Sequence, residues 1–487
     1  MAEIENKILT IIEPAIVLDE MSIPDVESGT ENSDGLKSEI PPSKTSSVIS
    51  LVRINQYEVQ QDRIDLIRLR NTGFYPTIKI IFEDRDGMFM SRFFPKDGDI
   101  IQLYIRSQGN ETTFKPIRID FSIVDISPIG GGGNVSANKF MVEGRMFVPD
   151  LFTEKVQFKN GTSWNSLLEI AEELQLGYAS NVDDTADEMT WINPNDTVEK
   201  YIQDIVSNSY LDDDHFFTAY IDPYYYLTLV DVNSLFSQEG SIEASKTFSQ
   251  NAGDLYSKSE GEEDNFPNYL SNLIKMQGGA RYISKYQMVN ESGMVTKNNG
   301  YKRYSQSWNL IDKEFISEFV DPITNDTPGF VPATKGRIID GEPEGPKDNQ
   351  LRFKYLGTQS ENVHDEYMYS IVLNYQNLIE ITKMGMVIEL DTVNPALLRY
   401  TRIYCQIFEY GSPQKTVLTQ NTNGEETPPE GAAERDTTSE QDSESTGILN
   451  EFLSGFYVIS GLEYFQTKPG GLRMKLYLQR REFKPST

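Results

Sequence analysis

Apolar and polar residues alternate along much of this chain, and the places where the alternation stops mark a different kind of structure. Ile101, Leu103 and Ile105 alternate with Gln102, Tyr104 and Arg106, and Ile119, Phe121 and Ile123 alternate with Arg118, Asp120 and Ser122. A period of two places successive side chains on opposite faces, so these stretches predict antiparallel strands with one face buried and one wet. Asp84-Arg85-Asp86-Gly87 and Pro95-Lys96-Asp97-Gly98 read as the turns between such strands, with Gly supplying the positive φ that other residues resist. Strands and turns at short intervals predict a sandwich or barrel over 48–157.

The period then changes. Thr162 is placed to cap a helix whose apolar stripe is Trp164, Leu167, Leu168, Ala171 and Leu174, with Gly177 closing it. Asp196 and Glu199 have the three-residue spacing of a capping box, ahead of a stripe made by Val198, Tyr201, Ile202 and Ile205. Strands at 216–221 and 225–232 complete a small α/β domain over 158–236. Period-two patterning resumes at about 269 and predicts a second β domain over 269–410, with strands at 370–382, 386–390 and 400–410. In the closing hairpin, 449–487, Leu472, Met474, Leu476 and Leu478 face inward while Arg473, Lys475, Tyr477 and Gln479 face out.

Three stretches follow neither period. Residues 1–47 form an acidic N-terminal arm. Its 19–45 portion mixes Asp, Glu, Ser, Pro and Gly, a composition that cannot bury enough apolar surface to fold alone. Ile4, Ile8, Leu9, Ile11 and Ile12 precede it and read either as a docking peptide or as a frayed terminal turn. Residues 237–268 read as a polar linker, and 411–448 as a long acidic insertion, solvated and disordered in the free protein.

The chain has 487 residues and a formal charge of −30. Phosphate binding needs clusters of Lys and Arg, so that balance argues against a protein that wraps nucleic acid. No apolar run approaches the ~20 residues that would span a bilayer, so no membrane insertion is expected. The N-terminal MAEIENKILTIIEP lacks a basic segment ahead of its apolar residues, which predicts no secretory signal. Cys405 is the sole cysteine, and His215 and His364 are the sole histidines. That composition excludes a disulfide framework and leaves little for zinc or imidazole chemistry.

The remaining candidates each have a plainer reading. Asp212-Asp213-Asp214-His215 offers hard oxygen ligands, but adjacent Asp residues cannot all address one ion and the spaced pattern of a calcium loop is missing. It reads as a solvated helix-to-strand turn. Gly130–Gly133 has no Gly-Lys-Ser/Thr after it and strand on both sides, so it reads as a hairpin loop and not a phosphate cradle. His364 reads as a surface histidine, Cys405 as a small core residue on the parity of Ile403 and Ile407, and Tyr224-Tyr225-Tyr226 as core or interface aromatics. The sequence therefore assigns no catalytic, cofactor-binding or metal-binding residue, and the chain does not read as an enzyme.

One stretch resembles a known family. NGTSWNSLLEIAEELQLGYASNVDDTADEMTWINPNDTVEKYIQDIVSNSY, residues 160–210, looks like the helical insert of central baseplate hub proteins from contractile-tailed phages of the T-even-like kind. The features that match are a Gly-Thr-Ser helix start at Gly161–Ser163, a Leu-Gly helix end at Leu176-Gly177, and the Trp-Ile-Asn-Pro-Asn turn at Trp191–Asn195. FFTAYIDPYYYLTLVDV, residues 216–232, fits the same pattern, and 455–485 resembles the closing hairpin of the tail-tube-like modules.

The resemblance implies a structural virion protein, mainly β with an α/β insert. Each chain would contribute two tail-tube-like antiparallel modules to a homotrimeric ring. The implied partners are the tail tube protein, a central spike or tail lysozyme, and the baseplate wedge proteins. DNA would pass the lumen without specific binding. The protein would be made in the host cytoplasm and reside in the virion baseplate, with no cofactor. A tail-associated cell-wall hydrolase and a receptor-binding or fibre protein are the competing readings. For a hub, a basic wall would bind phosphates and retard the genome, so the face of the strands that lines the ring is expected to carry net negative charge.

Overall fold

The computed structural model describes residues 8–16, 18, 47–96, 98–107, 116–129, 138–236, 246–249, 282–290, 303–310, 312–320, 331–332, 354–359, 363–382, 384–390, 393, 397–409, 448–450, 452–468 and 470–483. The Gly130–Gly133 loop, the acidic residues 19–45 and the insertion from 411 to 447 lie outside them. So does most of the expected linker at 237–268. Its Lys246–Ser249 is described, and it is a strand running parallel to Arg402–Gln406 where a polar connector was expected.

The chain is mainly β. A single sheet of 13 strands holds most of the period-two stretches. From one edge, its main path runs through Ile283–Asn290, Met384–Leu390, Leu472–Gln479 and Gly455–Thr467. It crosses to Ile64–Asn71 and continues through Thr77–Asp84, Asn138–Met146, Ile117–Ile129, Ile100–Ser107 and Ser47–Ile54. Every pairing between these ten strands is antiparallel.

The crossing joins residues nearly 400 positions apart in sequence. Gly455–Thr467 pairs with Ile64–Asn71 in the register Leu462↔Asn71 to Thr467↔Leu66. Strands from both halves of the chain therefore share one hydrogen-bonded sheet. Their inward faces bury Ile67, Leu69, Ile78, Ile80, Phe82, Leu462, Tyr464, Met474 and Leu476 in one apolar core. Alternation explains this directly, because a one-residue slip would send that set into water.

A second, four-stranded sheet has the order Leu9–Ile12, Gly177–Ser180, Tyr226–Asp231, Phe217–Ile221. The described apolar residues near the N-terminus are thus not a frayed turn; they dock on the edge of this sheet. Leu9–Ile12 is an edge strand, antiparallel to Gly177–Ser180. The helix Ser163–Glu173 begins as expected, with Thr162 accepting a hydrogen bond from the Asn165 amide at 3.3 Å. It ends differently. Gln175, not Gly177, takes the positive φ, at 59°. Gly177 opens the next strand, where a Cβ would fall 2.5 Å from the Tyr226 ring. The helix Val198–Ser207 starts one residue later than the capping-box spacing suggests. Thr197 is its cap, and Asp196 instead pairs with Lys200 at 2.7 Å. A hydroxyl at 197 can reach the third amide of the first turn, so it displaces the carboxylate one position earlier.

The expected strand at 370–382 is a helix, Tyr367–Thr382. Its buried residues, Met368, Ser370, Val372, Leu373, Asn374, Gln376, Asn377 and Ile381, follow helical spacing. The misreading has a physical cause: the stretch is rich in β-branched and aromatic residues, and three of its buried positions are amides. Among the described residues, no helix is long and apolar enough to cross a membrane.

Candidate functional site

The open face of the large sheet brings charges from both halves of the chain together at the crossing. Glu463 lies between Arg70 and Lys475 in register. Its side chain is only 2% exposed and contacts Arg68 at 2.8 Å, Arg70 at 3.1 Å and the Tyr477 hydroxyl at 3.2 Å. Lys475 reaches Glu389 at 3.2 Å, and Lys285 reaches the same carboxylate at 3.5 Å. On the other side Lys79 pairs with Glu143 at 2.8 Å, and Lys139 bridges Asp65 at 2.5 Å and Glu83 at 3.3 Å. The two carboxylates hold the Lys139 ammonium above its ordinary pKa, with the hydrogen bond to Asp65 first. Cross-strand neighbours on one face lie about 5 Å apart, so opposite charges in adjacent strands meet without distortion.

Basic side chains outnumber acidic ones on this face. Arg53, Arg106, Arg118, Arg145 and Arg473 add to those above, against Glu58, Asp120 and Asp125. A net negative charge was expected of the face that lines a ring; this face of the described strands carries a basic excess. The chain's acidity is carried elsewhere; on the core face Asp84 is buried and accepts from the Phe89 and Met90 amides.

The α/β portion docks on this sheet through its tyrosines. Asp222 accepts from the amides of Tyr224, at 2.8 Å, and Tyr226, at 3.0 Å, which fixes the turn between the strands. Tyr225, at φ 67°, projects its hydroxyl to accept from the Asp120 amide at 3.0 Å. Tyr224, Tyr225 and Tyr226 are all buried, so they are core and interior-contact residues and offer no stacking platform. Tyr220 donates to the Arg399 carbonyl at 3.0 Å, and Arg399 in turn donates to the Ser460 carbonyl at 2.8 Å and to that of Gly73.

His364 is not on the surface. It is buried between Trp191, Tyr210 and Tyr367, with Nε2 3.1 Å from the Asn208 carbonyl. Burial lowers its pKa below the usual imidazole range, and Asp187 and Asp365 only partly oppose that. Its sequence neighbours Asp365 and Glu366 suggested exposure, whereas two of the three aromatics that cover it, Trp191 and Tyr210, come from distant segments. Asp212, Asp213 and Asp214 form an exposed turn, in which Tyr210 donates to Asp213 at 3.0 Å and His215 meets Asp212. Among the described residues, no group of three or more His, Cys, Asp or Glu side chains is arranged to hold a metal ion. Cys405 is a buried free thiol whose pKa burial pushes up.

Two clefts lie along the Tyr367–Thr382 helix and meet at Leu378. One, of about 520 Å³, is lined by Arg70, Arg399, Tyr400 and Tyr477 among others; its neighbour is about 290 Å³. Among the described residues, neither is lined by a carboxylate, a histidine or a lysine. Elsewhere, a two-stranded ribbon of Glu154–Gly161 and Met189–Thr197 shows Val156, Phe158 and Ile192 to solvent at 76%, 66% and 64%. Phe158 and Ile192 are direct cross-strand partners.

The chain matches no protein-family profile and no curated protein. It is similar to the solved structure of a tail protein from Neisseria meningitidis MC58, at 9% identity and TM-score 0.44, over 89% of this chain and 97% of that one. A second similar structure is the 43 kDa tail protein of prophage MuSo2 from Shewanella oneidensis, at 10% identity and TM-score 0.43, over 88% and 98%. A third is an Escherichia coli component of the type VI secretion system, itself noted for similarity to T4 bacteriophage tail proteins, at 6% identity and TM-score 0.38, over 89% and 79%. The structural neighbours thus carry the names of tail and tail-like secretion components.

Proposed function

We propose that this chain is a structural protein of a phage-type tail, acting as the central hub of the baseplate. In this reading three copies close a ring that joins the tail tube to a central spike or tail lysozyme. The baseplate wedge proteins surround that ring, and DNA passes through its lumen. The observation that carries the reading is the crossing between Gly455–Thr467 and Ile64–Asn71, which sets β strands from the two halves of one chain side by side in a single sheet. A chain built this way supplies two adjacent segments of a wall, so three chains supply six. Closed rings of identical subunits are the economical way to cover sheet edges. The exposed apolar patch at Val156, Phe158 and Ile192 supports a protein that works inside an assembly, because such side chains are usually covered there. The protein acts by holding parts together and carries out no hydrolysis; it is made in the host cytoplasm and ends in the virion.

Light scattering on the purified chain, and imaging of particles carrying a tag on it, test the proposal. A ring on the tail axis containing three copies is the expected result. A protein found only at the particle periphery, or one that stays monomeric both alone and in the particle, rules it out.

A further inference from the structure

The open face of the large sheet is basic in a chain whose formal charge is −30. Arg68 and Arg70 share one carboxylate, Glu463. Arg473 is exposed and stands opposite Phe465, not opposite an acid. Arg145 lies over the Phe152 ring at 3.5 Å. Lys79 and Lys475 are ion-paired, but to carboxylates that other strands also expose to solvent. Along a strand, side chains on one face repeat every ~7 Å, and across strands every ~5 Å, so these cations form a two-dimensional lattice.

We propose that this lattice binds the phosphate backbone of double-stranded DNA, weakly and without reading base sequence. The proposal rests on the hub reading, in which duplex passes through the ring, and adds that this face forms the wall it passes. A duplex presents one negative charge per ~1.7 Å of axis, so a flat array of guanidinium and ammonium groups meets phosphates in any register. Phosphate contacts alone carry no sequence information. The interleaved Glu143, Glu389 and Glu463 keep the attraction small. Such a surface centres and lubricates a moving polyanion and does not trap it.

The test uses the full chain and a short labelled duplex, with anisotropy read at several salt concentrations. Binding should be detectable at about 50 mM salt and largely lost by about 200 mM, with no difference between unrelated sequences. Arg473→Gln with Lys475→Gln should weaken binding and lower the salt slope by about 1 for each cation removed. Glu143→Gln should tighten it. Because Arg473 and Glu143 are solvent-accessible, these variants should melt like the parent, and a gain from Glu143→Gln cannot come from misfolding. No binding at low salt, affinities unmoved by either variant, or binding of polyglutamate in preference to duplex would overturn the proposal; the last would assign the face to an acidic protein partner. Light scattering on the same samples separates the two ideas: a trimer that ignores DNA sinks this inference alone, and a monomer that binds it sinks the hub alone.

Discussion

Glu463 sits on the wet side of its strand, yet its side chain is 2% exposed because two arginines and a tyrosine close over it. The two sides of this contact are not equivalent. Arg68 and Arg70 are 34% and 48% exposed and can be hydrated if the carboxylate is lost, so Glu463→Gln should cost about 1 kcal/mol, as partly exposed pairs do. Arg68→Ala with Arg70→Ala removes both ion-pair partners and leaves the carboxylate to the Tyr477 hydroxyl and the in-register Lys475, which itself pairs with Glu389, and should cost about 3–5 kcal/mol. Urea midpoints of the two variants would show this asymmetry, and equal losses would contradict it. His364 gives the residue scale a pH dependence. Burial lowers its folded-state pKa, so on acidification the unfolded chain takes up a proton first. Stability is therefore full above about 6.5, the unfolded value, and falls as pH drops below it until the folded pKa is passed. Replacing His364 by Gln should flatten the slope just below that pH in denaturation curves, and an unchanged slope would contradict this.

At the scale of elements, the Tyr367–Thr382 helix is held by polar groups as much as by apolar ones. Asn374 donates to the carbonyls of Ser207 at 3.1 Å and Ser209 at 2.8 Å, and accepts from the Phe217 amide at 2.8 Å. Ser370 adds a bond to the Asn208 carbonyl at 3.1 Å. The last carbonyls of the Val198–Ser207 helix, which have no partners within it, are thereby satisfied by side chains from another helix. Asn374→Leu keeps the volume but strands several buried backbone groups at about 1–3 kcal/mol each. A loss of about 2–4 kcal/mol is expected, together with faster hydrogen exchange at the Phe217 amide; an unchanged melt would mean that water replaces these contacts. The same helix shows where reading the sequence fails. Period-two strands such as Leu472–Gln479 were legible because one face is wholly apolar and the other wholly polar. Thr162 was legible as a cap because its contact is local. Asn374, Gln376 and Asn377 are polar and buried, so the helix has no clean stripe; the carbonyls that make Asn374 tolerable come from some 165 residues earlier, while Asn377 donates back to Leu373 of its own helix. The strand Leu9–Ile12 was missed for the same reason: its partner at Gly177–Ser180 is remote in sequence. At the open face, the charges could be seen in each strand, but the excess of basic groups emerges only when the cross-strand register is known.

The whole molecule depends on a contact that the chain makes late. Ile64–Asn71 is synthesised early, and one of its two sheet neighbours, Gly455–Thr467, lies almost at the other end of the described residues. That same long strand also pairs with Arg402–Gln406 and with Leu472–Gln479, and the latter pairs with Met384–Leu390. Until 455–479 arrives, three strands lack a neighbour and the core face of Ile67 and Leu69 lacks Leu462, Tyr464 and Met474. Non-local pairing of this kind is slow, because loop closure must precede any gain from contact. An unpaired strand with an apolar face is also a template for aggregation while it waits. A chain stopped before Gly455 should therefore be insoluble or form large aggregates, although it retains every other strand of the sheet's main path except Leu472–Gln479. Adding residues 448–487 as a separate peptide during refolding should recover soluble protein with a cooperative melt, since the missing element is a hairpin whose own strands pair with each other along most of their length. Sedimentation and circular dichroism of the truncated chain, with and without the peptide, decide the matter. If the truncated chain melts cooperatively alone, the two halves fold independently and the crossing is a late docking step; if the peptide fails to rescue, the crossing must form while both halves are still part of one chain.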